Sequence, residues 1–219
     1  MRVIGINGSP RKTWNTATLL EKALEGAASV GAETELIHIY DLDYKGCRSC
    51  FACKLKTGAS YGSCAVKDEL QPVLARVQQA DALVLGSPIY YGMVTGEMRS
   101  FLERLLFPYL VYDKDYSSLR KKDTPTGMIY TMNATEAGAA DRNYPQTLGA
   151  LEAAIQRTFS GTAIPALYAT DTLQVEDYPK YGITGFDGQH KKQRREVDFP
   201  KDCQRAFDLG ARLCGPATA

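Results

Sequence analysis

The chain has 219 residues, 44% hydrophobic and 23% charged, with a net charge of +1. That supplies enough apolar material for one α/β domain with a full core, and a near-neutral balance excludes a global field recruiting nucleic acid or a membrane surface. No apolar run reaches the roughly 18–20 residues of a membrane helix, and Gly5, Asn7 and Gly8 break the opening before a signal-peptide core forms, so a cytoplasmic chain is expected.

In chain order, RVIGIN (2–7) predicts strand one. Leu19, Leu20, Ala23, Leu24 and Ala27 then repeat at helical spacing over about 16–30, with Gly31 as the stop. ETELIHIY (33–40) reads as strand two, and residues 41–66 as a loop holding four of the six cysteines, concentrated in 45–66. A helix over 67–79 leads into ADALVLGSP (80–88), a third strand. Met98, Phe101, Leu102, Leu105 and Leu106 mark a third helix ending before Pro108. TGMIYTMN (126–133), a helix over 144–159, TAIPALYAT (162–170) and a helix over 200–214 complete five strands and five helices in alternation. Pro165 suits an edge or a bulge. The pattern implies an α/β doubly wound parallel sheet, with its ligand crevice at the carboxyl ends of the strands. The stretches 108–125 and 171–198 are long for compact loops and are read as lids, binding loops or subunit contacts. The basic run HKKQRR (190–195) is either a solvated charge run or a patch for a dinucleotide phosphate or an acidic partner.

Three stretches carry chemistry. After strand one, GINGSPRKTWNT (5–16) turns tightly into a helix whose N-terminus offers free N–H groups and partial positive charge. It contains neither a Walker A loop nor a Gly-x-Gly-x-x-Gly fingerprint. An anion seat and a plain helix cap made by Asn15 or Thr16 are both compatible with it. After strand three comes GSPIYYGMVTGEMRSFLER (86–104), where the aromatics either face a ligand or fill core in a strand-to-helix turn. GCRSCFACKLKTGASYGSC (46–64) spaces Cys47, Cys50, Cys53 and Cys64 as C-x2-C-x2-C-x10-C, like the opening of ferredoxin motifs. In a reducing compartment such clustering points to metal or redox chemistry before structural disulfides. A [4Fe–4S] cluster, zinc, a labile disulfide and free thiols all fit four such cysteines. Cys203 and Cys214 fall on one face of the last helix and are assigned to the core. His38 and His190 are isolated and assigned structural roles.

The first two motifs together resemble the flavodoxin-like NADPH-dependent FMN reductase family, and the cysteines narrow this to its iron–sulfur flavoprotein branch. The resemblance is strongest in residues 1–107 and weak in 108–198. It implies a five-stranded sheet of order 2-1-3-4-5 with helices on both faces, forming a single domain over 1–219. It implies that Ser9, Arg11, Asn15 and Thr16 hold the FMN phosphate, and that Pro88, Ile89, Tyr90, Gly92 and Met93 contact the ring. Thr131 and Asn133 stand where the family has a third flavin loop. Trp14 departs from the small residue common there. Cys47, Cys50, Cys53 and Cys64 match the branch's cluster ligands, although the last gap is longer than usual. NAD(P)H or a reduced ferredoxin would donate electrons to a quinone, flavin or similar acceptor. Because the flavin carries the reaction, no catalytic residue is assigned. The resemblance further implies a homodimer or homotetramer. A flavodoxin-type electron carrier and a redox or zinc sensor are the alternative functions.

Overall fold

A computed structural model of the chain describes residues 1–159 and 164–215. Its sheet comprises β1 (Arg2–Asn7), β2 (Glu33–His38), β3 (Ala82–Tyr90), β4 (Met93–Val94), β5 (Thr126–Thr131) and β6 (Leu167–Ala169). Its order is β2-β1-β3-β5-β6, and every pairing along that path is parallel. This is the expected order with one addition. The two-residue β4 turns back antiparallel on the end of β3, so the sheet has six strands rather than five.

Alternation along the strands divides the core. Ile4, Ile6, Leu83, Leu85, Met128 and Tyr130 face one side. They are covered by α2 (Leu70–Gln79), α3 (Gly96–Leu106) and α5 (Tyr144–Phe159). Val3, Val84, Ile129 and Leu167 face the other side, beneath α1 (Asn15–Ser29) and α7 (Phe199–Cys214). Where α1 and α7 cross, backbone meets backbone between the apolar side chains of the two helices. A Cβ built on Gly210 would lie 1.7 Å from the Ala23 carbonyl oxygen, and one on Gly26 would lie 1.9 Å from that of Phe207. Cys203 and Cys214 are half-buried at the margin of this second core rather than inside it.

Several boundaries differ from expectation. β2 gives way to a 3-10 turn at Ile39–Asp41, and the 162–170 strand begins only at Leu167, with residues 162 and 163 outside the described residues. β6 is an edge strand, and Pro165 precedes it. A short α4 (Glu136–Asp141) follows β5, capped by Thr135, whose Oγ1 accepts the Gly138 N–H. Residues 171–198 are not one loop, because they include the helix α6 (Gly188–Val197), on which the basic run lies. Asp187 caps α6 by accepting the N–H groups of Gln189 and His190. The chain shows no apolar repeat there, so hydrophobic periodicity could not reveal the helix. The 108–125 stretch serves the amino edge of the sheet. Arg120 donates to the Gln78 carbonyl (3.1 Å), and Lys122 donates to Asp81 (2.7 Å) just ahead of β3. The start of that stretch, Pro108 and Leu110, is instead held by Lys54 of the cysteine segment, and 171–198 lies against the loops at the carboxyl edge. Among the described residues no helix is long and apolar enough to cross a membrane.

Candidate functional site

β1, β3 and β5 end together at the carboxyl edge, and their following loops are tied to one another. The Gly8 N–H donates to the Gly86 carbonyl (2.8 Å), and Thr95 Oγ1 donates to the Gly8 carbonyl (2.7 Å). The Thr95 N–H in turn donates to Ser87 Oγ (3.1 Å). Thr16 and Thr131 share a buried hydroxyl–hydroxyl bond of 2.8 Å. Within the first loop the Ser9 N–H donates to Asn7 Oδ1 (3.0 Å) and the Arg11 N–H to Ser9 Oγ (3.1 Å). His38 joins this network through its Nδ1, 2.8 Å from Asn7 Nδ2.

The α1 N-terminus is not capped as a plain helix start would be. Trp14, not Asn15 or Thr16, occupies the N-cap position and makes no side-chain cap bond, and the first turn holds no acidic residue. Its leading N–H groups and its share of the helix dipole are therefore left for something else. Ser9, Asn15 and Thr16 are buried at this turn, while Arg11 is exposed. Both ends of the Asn15 amide are engaged within the protein: Nδ2 donates to the Leu173 carbonyl (2.8 Å), and Oδ1 accepts from Arg195 Nη1 (2.7 Å).

The second loop is a hairpin. Ile89 pairs with Val94 and Tyr90 with Met93, leaving Tyr91 and Gly92 as its two turn residues, at φ of 51° and 81°. Two positive φ values are what a type I′ turn requires. The turn holds its aromatics out of the core, with Tyr91 105% exposed and Tyr90 48% exposed. The core-filling reading of these tyrosines is thereby overturned. Pro88, Ile89 and Met93 are half-buried, and Gly92 is buried against Tyr144. In the third loop Thr131 is buried, and Asn133 Oδ1 is a buried acceptor with no partner among the described residues. The Asn133 carbonyl accepts from Lys191 Nζ (2.7 Å), which also pairs with Asp171. His190 Nε2 lies 2.6 Å from the other Asp171 oxygen. Burial alone would raise the Asp171 pKa, but its bonds to Lys191 and His190 outweigh this and hold it below the usual carboxylate value.

The cysteine segment lies between β2 and α2. Cys53 is buried, Cys64 half-buried, and Cys47 and Cys50 exposed. All four border one recess, closed by Arg104 and Phe107. Arg104, fully buried, donates from Nε to Cys64 Sγ (3.3 Å) and from Nη1 to the Lys45 carbonyl (3.1 Å), and it grips both oxygens of Asp68. Lys54 points to the carbonyls of Phe107, Pro108 and Leu110. Ser49 and Phe51, on either side of Cys50, adopt positive φ of 53° and 55°, uncommon for residues with a Cβ. Burial, reinforced by Cys47 and Cys50, pushes the Cys53 thiol pKa up, whereas the Ala52 N–H draws that of Cys50 down. Among the described residues, no three or more His, Cys, Asp or Glu side chains stand close enough to hold a metal ion.

A doubly wound sheet with a crevice of this construction defines a flavodoxin-like protein. The chain belongs to the NADPH-dependent FMN reductase family, whose model matches residues 1–162. Its curated relatives include iron–sulfur flavoproteins. It is 43% identical over 104 residues to an iron–sulfur flavoprotein of Archaeoglobus fulgidus, a match covering 48% of each chain. It is 38% identical over 104 residues to one of Methanocaldococcus jannaschii, covering 48% of this chain and 51% of the other. These matches span about half the length of the curated relatives. In fold it is similar to an NAD(P)H:quinone oxidoreductase from Methanothermobacter marburgensis, with a TM-score of 0.71, 12% identity, and coverage of 97% and 98% of the two chains.

Motif reading gave no individual role to Asp171, Leu173, Lys191, Arg195 or Arg104, although Lys191 and Arg195 lie in the basic run it offered as a phosphate or partner patch. The first four belong to the stretch beyond the family match. Arg104 sits inside a helix of otherwise ordinary amphipathic pattern, where an arginine reads as surface. Asp187 ahead of Gly188 was the usable signal for α6.

Proposed function

We propose that the chain is an FMN-dependent oxidoreductase passing electrons from NAD(P)H or a reduced ferredoxin to a quinone, flavin or similar acceptor. One observation carries the reading: an uncapped helix N-terminus opens beside a hairpin that holds two tyrosines out of the core. The residues present suit the cofactor. Ser9, Thr16 and the first N–H groups of α1 would hold its phosphate. Tyr90, with Ile89 and Met93, would flank its ring, and the orphaned Asn133 Oδ1 offers an acceptor to a ring N–H. When bound, FMN supplies two-electron and one-electron transfer. The chain's own task is then to bind, orient and shield.

For the cysteine segment we propose Cys47, Cys50, Cys53 and Cys64 as the ligands of a [4Fe–4S] cluster, which would supply a one-electron relay. Four thiols around one recess suit that group in donor chemistry, and Arg104 and Lys54 place positive charge beside them. Ligation would require the thiols to close on a common centre.

The test is anaerobic purification and reconstitution with FMN, followed by NAD(P)H oxidation with a quinone acceptor. One FMN per chain and quinone-dependent turnover are expected. Failure to retain FMN would overturn the reading, and retention with reduction only by ferredoxin would favour an electron carrier.

A further inference from the structure

The basic run divides into neutralised and unneutralised cations. On α6, Lys191 is paired with Asp171, and Arg194 is paired with Asp202. Arg195 has no carboxylate partner among the described residues. It lies half-buried, its guanidinium 3.9 Å from the centre of the Phe199 ring and 5.9 Å from that of Trp14, and it donates to the neutral amide of Asn15. Burial lowers its pKa, and the neighbouring Cys203 and Glu176 offset only part of that. On the first loop, Lys12 is paired with Asp41, but Arg11 has no carboxylate partner either. Its guanidinium sits 5.4 Å from the centre of the same Trp14 ring, and its Nη1 donates to the Gln174 carbonyl (2.5 Å). Two unneutralised guanidiniums thus share one indole at the start of α1. Like charges brought to one ring, Arg11 exposed and Arg195 half-buried, repel unless an anion joins them. A phosphate monoester carries a charge of about −1.5 to −2 near neutral pH, matching two such cations.

We propose that Arg195 is a phosphate ligand of the flavin nucleotide, brought to the β1–α1 loop by a helix outside the region shared with the family, and that it acts with Arg11. The proposal rests on the FMN reading above and deepens it, assigning the recognition of a phosphorylated over an unphosphorylated flavin to α6. Trp14 and Asn15 both donate to the Leu173 carbonyl (3.1 and 2.8 Å), which fastens the same stretch of chain to the loop.

The experiment compares FMN with riboflavin, which presents the same ring without the phosphate. Flavin-free protein is titrated with each, in wild type, Arg195→Gln and Arg195→Lys, with circular dichroism to establish folding. Loss of a charged hydrogen-bond partner predicts that Arg195→Gln weakens FMN binding about 10- to 100-fold while riboflavin changes by less than about twofold. Arg195→Lys keeps the charge but loses the planar fork. It should weaken FMN by several-fold with riboflavin again unchanged, and it serves as the test if the glutamine variant fails to fold. Parallel loss of both ligands would make Arg195 merely structural and overturn the proposal, as would unchanged FMN affinity. A wild type that binds FMN no better than riboflavin would instead strike at the cofactor reading itself.

Discussion

At the strand-end crevice the main chain does most of the positioning. Gly8 bonds to Gly86, Thr95 bridges to Gly8, and a two-residue hairpin sets the tyrosines. In the cysteine segment, whose one regular turn is a 3-10 turn at Ala52–Lys54, long cationic side chains do that work. Arg104 reaches Lys45, Cys64, Val66 and Asp68, while Lys54 spans three carbonyls. The first region is organised by the sheet. The second depends on a few charges, so it is open to single substitutions and to ordering by whatever its thiols bind.

The strongest way to break this contrast is Arg104→Met. Removing a buried cation leaves Asp68 without its partner and should cost about 3 kcal/mol in urea unfolding. The contrast predicts that FMN affinity in the folded variant stays within about threefold of wild type; a parallel collapse would show the two regions to be one. A reciprocal pair sharpens it. Asn15→Leu should weaken FMN about tenfold or more while leaving bound iron unchanged, because it strips the phosphate loop of its ties to Leu173 and Arg195. Cys50→Ala should remove iron while FMN content stays constant, and retained iron would reject that ligand. The smallest effect concerns the clasp at Asp171. Because its pKa is held below the ordinary value, its stabilisation is complete above about pH 4 and fades as pH falls through the lower folded value. The loss should be smaller than that of Arg104→Met. Trp14 is the sole tryptophan, so its emission should report the loosening, and Asp171→Asn should remove the acid dependence.

The strands and the inward faces of the long apolar helices were legible because apolar period decides them, whereas the strand order came from the resemblance to the family. Val3 and Ile4 part to opposite faces, and Leu19, Leu20 and Ala23 face inward. The crevice was legible in its loops for a different reason: Gly8, Pro88 and Gly92 mark turns wherever they occur. What escaped were contacts between polar groups remote in sequence. Arg195 meets Asn15 across 180 positions, and Lys191 is buried although its neighbours are charged. No local pattern encodes such pairings, and a helix as polar as α6 hides from hydrophobic periodicity. The last gap of the cysteine run was visible, but not that Arg104 would stand under Cys64.

The seam where Gly26 meets Phe207 and Gly210 meets Ala23 fixes how near α7 can approach α1. Since α6 runs directly into α7, that spacing also sets the reach of Arg195 toward the opposite end of α1. A single methyl group added at either glycine would work as a wedge, lifting the carboxyl-terminal hairpin of helices and withdrawing its arginine. Packing at one end of a helix is thus geared to charge at the other.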